Sequence, residues 1–499
     1  VENITVLDGQ TEVIRVGQLD LLVNLSSLWR EIVKIEHLIL KGGTLYSEID
    51  STGRKPVILA KNNKEEKRSG ISFDIESQDI RIIESNVYFG NLVKSNRTWL
   101  TVNEADLKLS ISDSLVILTG TLDAHLDTLV SNNTILFANQ PVKGKAIDFR
   151  INPNTGEKVL HDGYLLAHTL TLYPRFKMTT QDDGQNVELH ISGDGNFNAF
   201  LELFEFHFGI DLEQINPGAE LNIAYNQWGF VNPFLRPYTE IDFEIVGASF
   251  SGDDLPYPIE NVTVAGNYNN GEGHSPETVQ LEIDTLHAEI QHSFVNARLK
   301  LTNLKDPVID AHFISGIDIS HFIKQTDNIR IKGTIDADLV IDGRISELKS
   351  LHLEGKQAAK GTIRVQDLEL LINDKALKVE LTSGSTLLNN HILEVTSLVG
   401  AYNESAFHFQ GLFENLDQYI LSKNEMLGGS FALSFDRLDL RNLFPGGERK
   451  ERVAPKSSMP SLDGLVLNLD VAGKEVITGL GTLENLRMKT RVDNGALQV

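Results

Sequence analysis

Ile335-Asp-Ala-Asp-Leu-Val-Ile-Asp342 puts Ile335, Ala337, Leu339 and Ile341 at every second position, with Asp336, Asp338, Val340 and Asp342 between them. Successive side chains of a β-strand point to opposite faces, so this run makes a strip with one oily face and one wet face. The same period recurs along the chain. Phe204, Phe206, Phe208, Ile210 and Leu212 alternate with Glu205, His207, Gly209 and Asp211, and Phe431, Leu433 and Phe435 alternate with Ala432, Ser434 and Asp436. Shorter runs of this kind lie at Val187–Ile191, Ile241–Ile245, Val279–Ile283, Val295–Leu301, Ile363–Val365 and Val379–Leu381. Turn residues punctuate them, as in Asn152-Pro-Asn-Thr-Gly156, Asp182-Asp-Gly184, Asn269-Asn-Gly271 and Asn389-Asn390. The expectation is an all-β chain of antiparallel strands with a few short helices.

Helical signals are sparse. Ser26-Ser-Leu-Trp-Arg-Glu-Ile-Val-Lys-Ile35 offers an N-capping serine pair and helical spacing, while 318–325 and 414–423 each have room for a couple of turns. Two boundaries stand out. Residues 251–258 are rich in Asp, Gly and Pro, and 445–460, bounded by Pro445 and Pro460, reads as an exposed linker.

With 499 residues and 41% hydrophobic composition the chain has ample apolar material to bury. The formal charge is −24, from 69 acidic and 45 basic residues, which argues against a nucleic-acid partner because no surplus of Lys and Arg exists to neutralise phosphates. The absence of cysteine removes disulfides, thiolate metal sites and Cys nucleophiles. No stretch reaches the roughly 18 consecutive apolar residues of a membrane span. The first residues lack the layout of a secretory signal. A chain that opens at Val1 and stops in what reads as a strand, Gly495-Ala-Leu-Gln-Val499, reads as a portion of a longer protein whose targeting or membrane segment lies outside it.

Motifs for chemistry are missing. No phosphate-binding Gly-x4-Gly-Lys, His-Glu-x-x-His or Gly-x-Ser-x-Gly pattern occurs, and Gly193-Asp-Gly195 lacks a third glycine and reads as part of a turn. Among 14 histidines the closest pairs are His287 with His292 and His161 with His168, better read as surface residues than as ligands. Asp336, Asp338 and Asp342 hint at a calcium loop, but Val340 stands where a ligand should, so a solvated strand face is the better reading. No catalytic residue, metal or cofactor is expected, and an enzyme is the least favoured class. Three Trp and 10 Tyr are few for a carbohydrate-binding surface. The oily strips admit two readings, an ordinary packed core or a sheet curled around acyl chains, and periodicity does not separate them.

The stretch Val16-Gly-Gln-Leu-Asp-Leu-Leu-Val-Asn-Leu-Ser-Ser-Leu-Trp-Arg-Glu-Ile-Val-Lys-Ile-Glu-His-Leu-Ile-Leu-Lys-Gly-Gly-Thr-Leu45 resembles the opening of AsmA-like proteins, with a strand, a short helix and a re-entering strand. Residues 332–355, then Lys360-Gly-Thr-Ile-Arg-Val-Gln-Asp-Leu-Glu-Leu370, resemble phrases of AsmA and its relative TamB, and 461–470 and 482–499 resemble a C-terminal segment of that family. The resemblance implies an N-terminal cap over 1–45, a first groove segment over 46–250, a second over 251–444, the linker 445–460 and final strands over 461–499. It also implies an elongated, twisted sheet folded into a taco with an apolar inner face. Such a protein resides in the periplasm of a Gram-negative bacterium, held to the inner membrane by a helix absent from this sequence. It supports phospholipid traffic toward the outer membrane. Phospholipid or another acyl-chain lipid is then the partner, with outer-membrane components as further ones. The groove residues implied by alternation are Phe204, Phe206, Phe208, Ile335, Leu339, Ile363, Val365, Phe431, Leu433 and Phe435. The competing expectation is an envelope scaffold or outer-membrane assembly factor with a filled core and a partner-binding edge strand.

Overall fold

The computed structural model describes residues 2–8, 11–24, 32–54, 72–74, 78–93, 95–111, 115–131, 134–181, 183–201, 218–232, 234–252, 257–321, 329–348, 358–372, 377–390, 392–403, 405–415, 426–439, 465–478, 481–493 and 496–498. These are almost all strand, as the period-two pattern requires. The chain divides into two compact units, Val1–Ala248 with Asn267–Ser275, and Ser249–Gly266 with Pro276–Val499.

The strands of the first unit are β1 (Glu2–Asp8), β2 (Thr11–Asn24), β3 (Ile32–Ile49), β4 (Ser72–Asp74), β5 (Gln78–Asn91), β6 (Asn96–Ile111) and β7 (Val116–Ser131). They continue with β8 (Thr134–Asn152), β9 (Glu157–Ala167), β10 (Leu170–Gln181), β11 (Gly184–Asn196), β12 (Glu220–Val231) and β13 (Tyr238–Phe250, its end belonging to the second unit). From β5 to β13 each strand pairs antiparallel with the next. The hairpin between β8 and β9 is built by Asn152, whose Oδ1 accepts from Asn154 N at 3.0 Å while its carbonyl accepts from Gly156 N at 2.8 Å.

The second unit opens with β14 (Ile259–Asn269, its end belonging to the first unit), β15 (Gln280–Ile290), β16 (Ser293–Thr302), β17 (Val308–Asp318), β18 (Ile329–Arg344) and β19 (Ala358–Ile372). It closes with β20 (Leu377–Asn389), β21 (Ile392–Tyr402), β22 (Ser405–Glu414), β23 (Leu427–Asp439), β24 (Leu465–Thr478), β25 (Gly481–Asp493) and β26 (Ala496–Gln498). Strands β15 to β23 again pair antiparallel in chain order.

Three findings correct the sequence reading. First, the sheet is not wholly antiparallel: β3 pairs parallel with β4 and β5, and β23 pairs parallel with β24. A parallel neighbour needs a crossover of a dozen or more residues, and the stretches 50–77 and 440–464 supply the length. Second, Ile32 to Ile35, assigned to a helix by spacing, belong to β3, where Val23 pairs with Ile35 and Asn24 with Lys34. The β-branched Ile32, Val33 and Ile35 suit a pleated strand better than a helix, and partners on both sides decide it. The rest of that phrase, 26–31, lies outside the described residues. Third, Gly193 and Gly195 are inside β11 rather than in a turn.

Described helix is brief: residues 197–201, a 3-10 turn at Ile319–His321 within the expected 318–325 segment, and one turn at Ile345–Leu348. No helix among the described residues is long and apolar enough to cross a membrane. The linker 445–460 and most of 414–423 lie outside the described residues.

Candidate functional site

Strand pairing converts the one-dimensional alternation into rows, because residues opposite each other on neighbouring strands share a face. In the second unit one row runs Ile317–Ile335–Val365–Gly384–Leu398–Phe409–Leu433–Val471–Met488 across β17 to β25. The adjacent row carries Ala337, Ile363, Thr386, Val395, Gly411, Phe431, Leu469 and Thr490, and beyond it lie Leu339, Gly361, Leu388, Leu393, Phe413, Gly429 and Leu467. On the other side Leu381, Gly400, Phe407, Phe435, Gly473 and Leu486 line up. Seven of the sequence-derived candidates, Ile335, Leu339, Ile363, Val365, Phe431, Leu433 and Phe435, therefore stand on one face in four neighbouring rows. Phe204, Phe206 and Phe208 lie outside the described residues.

These rows hold no ionisable side chain. Their hydroxyl groups are short and locally satisfied, as where Thr386 Oγ1 donates to the Ile363 carbonyl at 3.2 Å. The opposite face is charged. Asp336, Asp338 and Asp342 are exposed there, as a solvated strand face requires. Lys332 Nζ meets Glu369 Oε2 at 2.8 Å, Lys474 meets Asp436 at 2.7 Å, and His312 Nε2 meets Asp338 Oδ1 at 2.7 Å. The Lys332 ammonium holds the Glu369 carboxyl below the ordinary glutamate range. His287 contacts Asn296 at 2.7 Å and Glu289 at 3.3 Å, and His168 contacts Gln140 at 3.2 Å. Among the described residues no group of three His, Asp or Glu side chains is placed to hold a metal ion.

Depth varies along the oily face. Ile335, Leu339, Ile363, Val365 and Leu433 are half-buried, whereas Phe431 and Phe435 are each only 7% exposed. Glycine explains the difference. A Cβ on Gly473 would fall 2.0 Å from Phe435 Cε2, so the Phe435 ring lies flat over the glycine and packs with Val471 and Val476. Phe431 likewise leans over Gly411 and Gly429 and packs against Phe409 and Phe413, with ring centroids 5.3 and 4.5 Å away. Large rings laid over glycines make a smooth, continuous hydrocarbon floor.

The first unit has a counterpart that sequence reading missed. Leu19, Leu40, Ile82, Ala105, Leu122, Gly144, Leu165, Leu172, Gly193, Ile223 and Phe243 form one row across β2 to β13 without a polar residue. Bulges hid it. Where β6 pairs with β7 the register shifts between Val102 and Glu104 and the inward positions change parity, so Val102 and Ala105 are both buried three residues apart. The legible trace was the repeated glycine, since Gly144 and Gly193 sit beneath Ile147 and Leu172. At one place this face is covered. Residues 197–201, capped by Asn196 Oδ1 accepting from Asn198 N at 2.8 Å, pack Ala199 on Leu170 and Leu221, with Leu172 and Ile223 alongside. Among the described residues Leu170, beneath that helical turn, is the largest fully enclosed side chain.

No protein-family model matches this chain, and no curated protein or solved structure matches it.

Proposed function

We propose that the chain is a lipid-handling protein that holds acyl chains along the oily face of its sheets and passes phospholipid between membranes, as the resemblance to AsmA-like proteins implies. The observation that carries this reading is the apolar row nine strands long in the second unit, in which Ile335, Val365, Leu398, Phe409 and Leu433 stay half-buried. Each acyl CH₂ removed from water there contributes about 0.8 kcal/mol, while a headgroup remains hydrated at the rim. Neighbouring rows are chemically alike, so a chain can slide from rung to rung without meeting a deep minimum. A periplasmic setting between the inner and outer membranes belongs to the same proposal. The reaction needs no side chain to make or break a bond.

The test is mass spectrometry of the organic extract of the purified chain beside the I335D/L433D variant. Both positions lie in one row and are half-buried, whereas Phe435 is packed so tightly that a charge there is expected to unfold the sheet. The expected result is phospholipid in the wild-type extract and a loss of about ten-fold or more in a variant whose circular dichroism is unchanged, given two charges set on the floor. A folded wild type that stays lipid-free after incubation with phosphatidylethanolamine vesicles sinks the proposal and favours an envelope scaffold.

A further inference from the structure

The turn joining β12 to β13, which carries Asn232 and Phe234-Leu-Arg-Pro237, exposes its two largest apolar side chains. Phe234 is 93% exposed and Leu235 52%. Exposure of this kind normally vanishes when a loose loop folds back on the protein, but this turn is held open. Asn232 Oδ1 accepts from both Phe234 N and Leu235 N at 2.8 Å, and Asn232 N donates to the Leu235 carbonyl at 3.2 Å. Its far side is tied to the 270–275 turn. Asn270 Nδ2 donates to the Pro237 carbonyl at 2.9 Å, Asn270 Oδ1 accepts from Thr239 N at 2.9 Å, and the His274 ring donates to the Arg236 carbonyl.

Behind the apolar tip comes Arg236, exposed, and behind it Trp228 packs at a tilt of 43° against Tyr238 with ring centroids 4.4 Å apart, Trp228 being 44% exposed. Trp228 stands three residues, about 10 Å, behind the end of β12. Hydrocarbon-seeking side chains at the tip, a guanidinium next and an amphipathic Trp–Tyr pair at the base follow the order of acyl chains, phosphates and headgroup zone met on leaving a bilayer. We infer that this turn is a membrane-docking tip whose occupant is a phospholipid surface. Phe234 and Leu235 enter the acyl boundary, Arg236 pairs with a lipid phosphate, and Trp228 with Tyr238 settle at headgroup level. The neighbouring turns carry Asp183 and Glu272, so apolar insertion rather than net charge drives the contact. The inference stands apart from the oily floor, since a tip can dock whether or not the sheet carries lipid.

Flotation with phosphatidylcholine vesicles tests it on the full chain. Wild type is expected to float with the vesicles, and F234D/L235D to lose about ten-fold or more of the bound fraction, because both side chains are apolar anchors. As both are exposed, the variant should keep its circular dichroism and urea midpoint. I335D/L433D should float like wild type, which separates this inference from the groove. In F234W the new indole should blue-shift with vesicles and be quenched by acyl-brominated lipid. Equal flotation of wild type and F234D/L235D, no flotation of either, or an unshifted F234W indole overturns the proposal.

Discussion

Glu369 shows what a single residue on the wet face contributes. It lies between Lys332 on β18 and Glu380 on β20, with Lys378 also near and paired to Glu380 at 2.5 Å. Its carboxyl is held low chiefly by the Lys332 ammonium. A depressed carboxyl lends stability that is fully present above the unfolded glutamate value, about 4.3, and is lost as pH falls through the lower folded value. E369Q should therefore have a lower urea midpoint than wild type at pH 7, with the gap closing toward pH 3. Lys332 is well exposed, so the difference should stay below about 1 kcal/mol. Phe435 makes the complementary point on the oily face. Alternation places it beside Leu433, yet one is sealed and the other half-open, because only Phe435 faces a glycine across the strand gap.

At the scale of the element, β21 carries one residue more than its neighbours need. Val395 and Leu398 both face inward, opposite Thr386 and Gly384, with Thr396 as the extra residue at the register shift. Deleting Thr396 would restore plain alternation and keep every inward residue inward. The loss is then the hydrogen bond from Thr396 Oγ1 to the Ser385 carbonyl, 2.8 Å long, and a cost of about 1 kcal/mol is expected. Deleting Asp338 from β18 has the opposite consequence. It would turn Leu339 and Ile341 to the charged face, or Ile335 and Ala337 if the other end slips, and a loss above about 4 kcal/mol or failure to fold is expected. Urea midpoints of the two deletions check both; equal effects would show that the β21 bulge does not absorb the extra residue.

At the scale of the molecule, stability comes from strands touching the strands next to them in the chain. An arrangement of that kind behaves as a row of coupled segments rather than one all-or-none core. Native-state hydrogen exchange at rising urea should give different opening free energies for β5–β8, around Val87, Val102, Ala105 and Ala124, and for β20–β24, around Phe435, Val471 and Val476. One shared value for all amides would contradict this.

The strand content, the antiparallel majority, the hairpin at Asn152 and the common face of Ile335, Leu339, Ile363, Val365, Phe431, Leu433 and Phe435 were all legible in the sequence. Each depends on a local property, the two-residue repeat of a strand or the turn chemistry of Asn and Gly. Tertiary structure decided the rest. The parallel joins of β3 with β5 and of β23 with β24, the strand at Ile32, the bulge-shifted row of the first unit and the burial of Phe435 each depend on which strand lies alongside. A partner's hydrogen bonds can override local spacing, and a glycine on a neighbour can make room for a ring, yet neither leaves a mark within the segment it governs.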